Sequence, residues 1–184
     1  TVLSESGAES FLAGFGGCRV LVDPQGCNAW CSEVLVDGGA SVVTGEDPVV
    51  LPKAAKNSVE VEGARRAHVR DALAEVRFLA WLDREVAAGR LHDEAHLADV
   101  LFDFRARGEH FHGGSFDTIS AAGSNAAMCH YNHLDADQPG RLEDGGVYLV
   151  DSGGQYTDGT TDITRTVAIG DPSDEVRRLY TLVL

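Results

Sequence analysis

The sequence predicts an α/β (α+β) fold in which the tail of a small α/β unit precedes a larger mixed unit. Two observations carry that prediction. Residues 19–43 read strand, helix, strand, and beyond Asn57 two long helical periods lead into two segments of strand, turn, strand character. Taken in order, Glu9 to Phe15 is a short helical piece and Arg19 to Val22 a strand ended by Asp23-Pro24. Asn28 to Asp37 has the spacing of an amphipathic helix, and Gly38-Gly39 separates it from a strand at Ser41 to Val43. Glu46 to Asn57, with two prolines and two lysines, reads as a linker, so residues 1–52 are assigned to the first unit and 53–184 to the second. Asn57 or Ser58 caps a long helix whose first turn carries Glu60 and Glu62, where the helix dipole favours acids. Its apolar stripe of Val61, Ala64, Val69, Ala72, Leu73, Val76, Leu79 and Ala80 predicts the buried face. A second helix over Asp93 to Ala106 buries Leu97, Val100, Leu101 and Phe104. Two hairpins follow, Phe116–Tyr131 and Val147–Val167, and a helix begins near Glu175.

The second hairpin holds the chemistry. Closing Val147–Val150 against Ile163–Val167 brings Asp151 and Asp162 opposite each other on one face. Directly opposed residues have Cβ atoms about 4.5–5.5 Å apart, and like charges there repel. Two carboxylates so placed call for a cation, and oxygen donors favour magnesium, manganese or calcium. Thr164 and Thr166 share the face of Asp162 by the two-residue strand period, and Thr164 is placed to hydrogen-bond a ligating carboxylate. The competing reading is a solvated acidic turn. Asp158, beside Gly159, fits that reading; Asp151 and Asp162 fit it less well because they flank apolar strand residues.

The run from Asp151 to Thr166, Asp-Ser-Gly-Gly-Gln-Tyr-Thr-Asp-Gly-Thr-Thr-Asp-Ile-Thr-Arg-Thr, resembles the aminopeptidase P (Xaa-Pro aminopeptidase) branch of the pita-bread metallopeptidases. So do Ser115 to Ala127, His130-Tyr131, Leu51 to Asn57, and the helix with Ala67 to Asp71. The resemblance runs from about Arg19 to the end, and the Asp-Gly-Thr-Thr-Asp spelling is specific to this branch.

That resemblance implies a pita-bread catalytic half-domain preceded by the tail of a creatinase-type α/β domain. It implies a dinuclear exopeptidase, with two divalent ions of manganese type, that releases the residue preceding a proline in second position. Asp151 matches a ligand of one metal, Asp162 the ligand bridging both, and His130 the histidine that contacts the peptide and steadies the transition state. The family's remaining ligands, one histidine and two glutamates, lie beyond Leu184. The chain is therefore expected to be a window on a longer protein and inactive by itself. Homodimerisation of the longer protein is a family expectation. Prolidase-like or creatinase-like hydrolysis is the alternative on this fold, and a non-catalytic peptide- or protein-binding module is the alternative outside enzymes.

The resemblance implies proline-containing peptides as partners, and composition bounds the rest. A formal charge of −14 argues against nucleic acid, which needs clustered Lys and Arg. No apolar run approaches the roughly 20 residues of a membrane helix. Cys18, Cys27, Cys31 and Cys129 lack paired zinc spacing and read as reduced thiols of a cytoplasmic protein. Among the histidines, His110, His112, His130 and His133 match no strong zinc signature; His92 and His96 read as surface, and His68 as a residue near the core stripe. Only His130 rises above the default, through the resemblance and its expected place at a strand end.

Overall fold

The computed structural model describes residues 4–184, which form two compact units divided between Lys56 and Asn57. In the first, helix α1 (Ala8–Ala13) is followed by β1 (Arg19–Val22), α2 (Ala29–Asp37) and β2 (Ser41–Thr44). Strands β1 and β2 pair in parallel, from Arg19 opposite Ser41 to Val22 opposite Thr44, as the strand, helix, strand reading requires. Asn28 caps α2 by accepting the amide of Cys31. The expected linker is partly helical: α3 (Val50–Ala54) carries Pro52 within its first turn, where the missing amide hydrogen breaks no helical bond.

In the second unit, α4 (Ser58–Ala87) starts from a capping box in which the Asn57 side chain accepts the amides of Val59 and Glu60 while Glu60 accepts that of Asn57. Helix α5 (Glu94–Ala106) starts from Asp93, which accepts the amide of His96. Among the described residues eight short strands build the sheets. The second unit holds β3 (Phe111–Gly114), β4 (Ile119–Ala122), β5 (Val147–Ser152), β6 (Gly154–Tyr156), β7 (Gly159–Thr160) and β8 (Ile163–Ala168), with α6 (Asp174–Val183) last. One antiparallel sheet runs β4-β5-β8 and another β3-β6-β7. Strand β5 is thus central, with Tyr148, Val150 and Ser152 buried on one face and Val147, Leu149 and Asp151 half-buried on the other. The inner face packs on Phe78, Leu82, Leu97 and Leu101 of the two long helices, with Leu142 and Ile169 closing the core. Each of these large apolar side chains contributes about 1.5–3 kcal/mol on burial.

Three sequence expectations change here. Phe116–Tyr131 is not a hairpin: β4 passes into a 3-10 turn at Gly123–Ala127 and pairs instead with β5, a contact no local pattern encodes. The second hairpin is real as β5 against β8, but its tip peels away as β6 and β7 and joins β3.

The buried face of α4 is also not the valine stripe. It is Gly63, Ala67, Asp71, Ala74, Glu75, Phe78 and Leu82, while Val69 and Val76 are 64% and 62% exposed. Small residues on that face let the β6–β7 turn approach closely: a β-carbon on Gly63 would collide with the carbonyl oxygen of Asp158. The two acids are tolerated because Arg105 of α5 is buried with them, its Nε 2.6 Å from Asp71 and its terminal nitrogen 3.5 Å from Glu75.

Burial lifts the Glu75 carboxyl above its ordinary value of 4.5; Arg105 pulls it down, and Asp71 pushes it further up. The folded state then holds this proton more tightly than the unfolded chain. Its contribution to stability is complete below the unfolded value and is lost as pH rises through the raised folded value. Glu75→Gln removes this titration. Denaturant unfolding should show wild type losing stability relative to Glu75→Gln as pH rises from about 4.5. Parallel pH profiles for the two proteins would contradict the assignment.

Candidate metal and peptide site

Asp151 sits near the end of β5 on the face turned away from the helical core. Its direct cross-strand neighbours are Ile119 of β4 and Thr164 of β8. Asp162 is therefore not opposite Asp151, as the simple hairpin implied; it lies two residues before Thr164 and just outside β8, whose ladder with β5 ends at Ile163 opposite Ser152. Asp162 and Thr164 are exposed, whereas Asp151 is half-buried.

One oxygen weighs toward a cation site over a solvated turn. Asp151 Oδ1 is buried and has no hydrogen-bond partner among the described residues. An ionised oxygen in that state is costly, and a cation is the partner its environment fits. The donor set is all oxygen, as a hard divalent ion prefers. Among the described residues no three His, Cys, Asp or Glu side chains gather as a metal-holding group. Asp151 and Asp162 would by themselves make an incomplete donor set, and the four histidines weighed for zinc are not brought together.

His130 lies in a turn rather than at a strand end, and its φ of 56° is in the left-handed region that a non-glycine residue enters at a cost of order 1–3 kcal/mol. Its exposed ring lines a cavity of about 310 Å³ together with Met128, Leu149, Asp151 and Thr164. On its other side is a hollow of about 320 Å³ bounded by Phe116, Asp117, Tyr131 and Asn132. The histidine therefore stands on the rim between the Asp151 face and a second concavity.

What holds this turn is Glu94, a residue that sequence reasoning passed over as one more acid in a helix's first turn. Glu94 is fully buried. Its Oε1 accepts the amide of Ala122 at 2.6 Å and Asn125 Nδ2 at 2.9 Å; its Oε2 accepts the Tyr131 hydroxyl and the Gly140 amide, each at 2.7 Å. These four bonds bracket His130 on both sides. Burial, reinforced by the hydrogen bond to Glu94, pushes the Tyr131 phenol up to about 12, so it stays protonated and donates at neutral pH.

Asp158 is likewise more than solvated turn. Its carboxylate is ion-paired with Arg70 and lies 3.6 Å from Arg66, one helical turn apart on α4. Partial burial works to raise its pKa, but the hydrogen bond and charge of Arg70 outweigh this and hold it below the ordinary carboxylate value. The pair pins the β6–β7 tip to the helix. His68, placed near the core stripe from sequence, is exposed and bonds through Nδ1 to the carbonyl of Ala64. His133, by contrast, is buried.

A half-buried carboxylate with an orphaned oxygen, a second carboxylate two residues before its cross-strand neighbour and a strained histidine at the rim are what a hard cation would suit. Residues 62–184 match metallopeptidase family M24, and the chain belongs to that family. It is 44% identical over 156 residues to a Tuber melanosporum protein named "Probable Xaa-Pro aminopeptidase P", a match covering 85% of this chain and 25% of that protein. Among solved structures, the X-prolyl aminopeptidase of Caenorhabditis elegans, described as a cytosolic enzyme with a di-nuclear active site, superposes with a TM-score of 0.78 at 34% identity. That match covers 92% of this chain and 28% of the other. The Xaa-Pro dipeptidase of Bacillus anthracis shares the fold, with a TM-score of 0.77 at 19% identity over 96% of this chain and 48% of its own. The α/β pita-bread fold expected from sequence is the fold of this chain. The chain spans about a quarter of the length of the Tuber melanosporum relative and of the Caenorhabditis elegans enzyme. Among the described residues no helix is long and apolar enough to cross a membrane.

Proposed function

We propose that the full-length protein carrying this chain is an Xaa-Pro aminopeptidase, releasing the N-terminal residue from peptides with proline in second position. The observation that carries the reading is the buried Oδ1 of Asp151, without a hydrogen-bond partner among the described residues, in a cavity lined by His130 and by Thr164, two residues after Asp162. Similarity to an X-prolyl aminopeptidase with a di-nuclear site supports it over the more distant dipeptidase. Asp151 and Asp162 would hold two divalent ions, with manganese our choice, which supply Lewis acidity and an activated water at neutral pH. Asp162 is assigned to serve both ions and Asp151 one.

The chain's own residues then divide the work. Asp151 offers an oxygen already stripped of water, so binding a cation there costs little further desolvation. Thr164, directly across the ladder from Asp151, would hydrogen-bond that carboxylate once it ligates a cation. His130 donates to the peptide carbonyl oxygen and steadies the negative charge that develops on it. The strained turn, anchored by Glu94, presents the imidazole without a reorganisation step. The four free cysteines, Cys18, Cys27, Cys31 and Cys129, suit the reducing cytoplasm in which we place the protein.

The test uses the full-length protein and a tripeptide with proline in second position. Release of the first residue, its loss on chelation and its return with manganese are expected. Cleavage restricted to Xaa-Pro dipeptides would favour the prolidase reading, and peptide binding without turnover would favour a non-catalytic module.

A further inference from the structure

Two features of the molecule lie outside the assigned site and invite explanation: the apolar groove between β8 and α6, and the buried polar cluster around Asp71. The cluster is the more informative, because it ends on the residue next to Asp162. Asp71 is completely buried on α4. Its Oδ1 accepts Arg105 Nε at 2.6 Å and the Tyr156 hydroxyl at 2.8 Å, and its Oδ2 accepts the Thr161 hydroxyl at 2.9 Å. Thr161 is 1% exposed, and all its polar atoms are engaged. Its amide donates to the carbonyl of Gly154, its hydroxyl oxygen accepts the Gly154 amide at 2.8 Å, and its carbonyl accepts the Ser115 hydroxyl at 2.9 Å. A β-carbon on Gly153 would strike both that carbonyl and the Ser115 hydroxyl, so the crossing admits only glycine.

Immediately after this clamped residue comes Asp162, exposed, with no hydrogen bond to its carboxylate among the described residues. Nothing on its own side chain fixes where it points. Its position is inherited from the backbone at Thr161, and that backbone is tied to the helix core through Asp71.

We propose that Thr161 and Asp71 form a positioning relay for Asp162, with the Thr161 hydroxyl as the joint between the buried carboxylate and the strand crossing. The relay rests on the reading of Asp162 as a metal ligand. Helix α4 sets Asp71, Asp71 orients the Thr161 hydroxyl, and the hydroxyl locks Thr161 to Gly154, leaving the next carboxylate preset. A preset ligand binds a cation without the entropy cost of ordering a mobile loop. Partners that orient a ligating group are typically worth 10–100-fold in metal affinity.

The experiment measures manganese affinity of the metal-free full-length protein by calorimetry, alongside its thermal midpoint. Four proteins are compared: wild type, Thr161→Val, Thr161→Ser and Asp162→Asn. Thr161→Val keeps the shape and deletes the hydroxyl, so manganese should bind about 10–100-fold more weakly, with KM at saturating metal unchanged. Thr161→Ser restores the hydroxyl and should restore the affinity, whatever it does to the midpoint. Asp162→Asn should lose tight binding outright. Wild-type affinity in Thr161→Val with loss in Asp162→Asn would overturn the relay and leave the ligand assignment standing. Binding as weak in Thr161→Ser as in Thr161→Val would show that the hydroxyl alone does not set the affinity and would also overturn it. Wild-type affinity in Asp162→Asn would overturn the ligand assignment itself.

Discussion

Asp162→Asn in the full-length protein should lower turnover of an Xaa-Pro peptide by more than the 10–100-fold typical of residues that merely orient a ligand, and Asp151→Asn should be damaging but less so. The order follows from the proposed roles: a carboxylate serving two ions affects both when it is lost. Asparagine keeps the size and one oxygen, so folding should be preserved and the defect should appear as lost metal and lost turnover together. Asp158→Asn is the matched control. It removes an aspartate four residues before Asp162 whose partners are Arg66 and Arg70, so stability should fall modestly while bound metal is retained. Near-wild-type turnover in both Asp151→Asn and Asp162→Asn would rule out the mechanism.

Arg105→Met should be the most destabilising single change in the second unit, costing about 3–5 kcal/mol. Arg105 is 2% exposed and is the cation that permits Asp71 and Glu75 on a helix face otherwise made of Gly63, Ala67, Ala74, Phe78 and Leu82. Methionine fills much of the volume, so the cost is the uncompensated charge on Asp71. Adding Asp71→Asn to Arg105→Met should recover part of the loss, since the amide needs no counterion and its oxygen can still accept from Thr161 or Tyr156. Additive losses in the double variant, measured by urea unfolding, would contradict this account of the pair.

The residues that were legible in advance are those whose signals are local. Asn57 with Glu60, Asp93 and Asn28 announced helix starts because a cap and its amides lie within three residues. Strands β1 and β2 were legible from β-branched runs with a helix between them. The expectation that Asp151 and Asp162 share a face rests on the parity of the strand period alone. The actual register, Asp151 opposite Thr164, is displaced by two from direct opposition, and a two-residue shift keeps the face where a shift of one would reverse it.

The misses are all non-local. Strand β4 chose β5 across an intervening stretch of 24 residues, and β6 and β7 left their own hairpin for β3. The α4 stripe was misassigned because hydrophobicity was counted where size and charge partners decide. Gly63 and Ala67 are buried because the β6–β7 turn needs the space, and Asp71 is buried because Arg105, 34 residues later, meets it. Glu94 escaped notice for the same reason, its acceptors being filled by Ala122, Asn125, Tyr131 and Gly140.

The central claim, that Asp151 and Asp162 hold divalent metal, is tested most directly by crystals of the full-length protein grown with manganese and measured at the manganese absorption edge. Anomalous density within coordination distance of both carboxylates is the expected result, with one peak shared through Asp162 and Asp151 bound to one of the ions. Manganese bound elsewhere, or well-ordered Asp151 and Asp162 side chains with no anomalous peak between them, would contradict it.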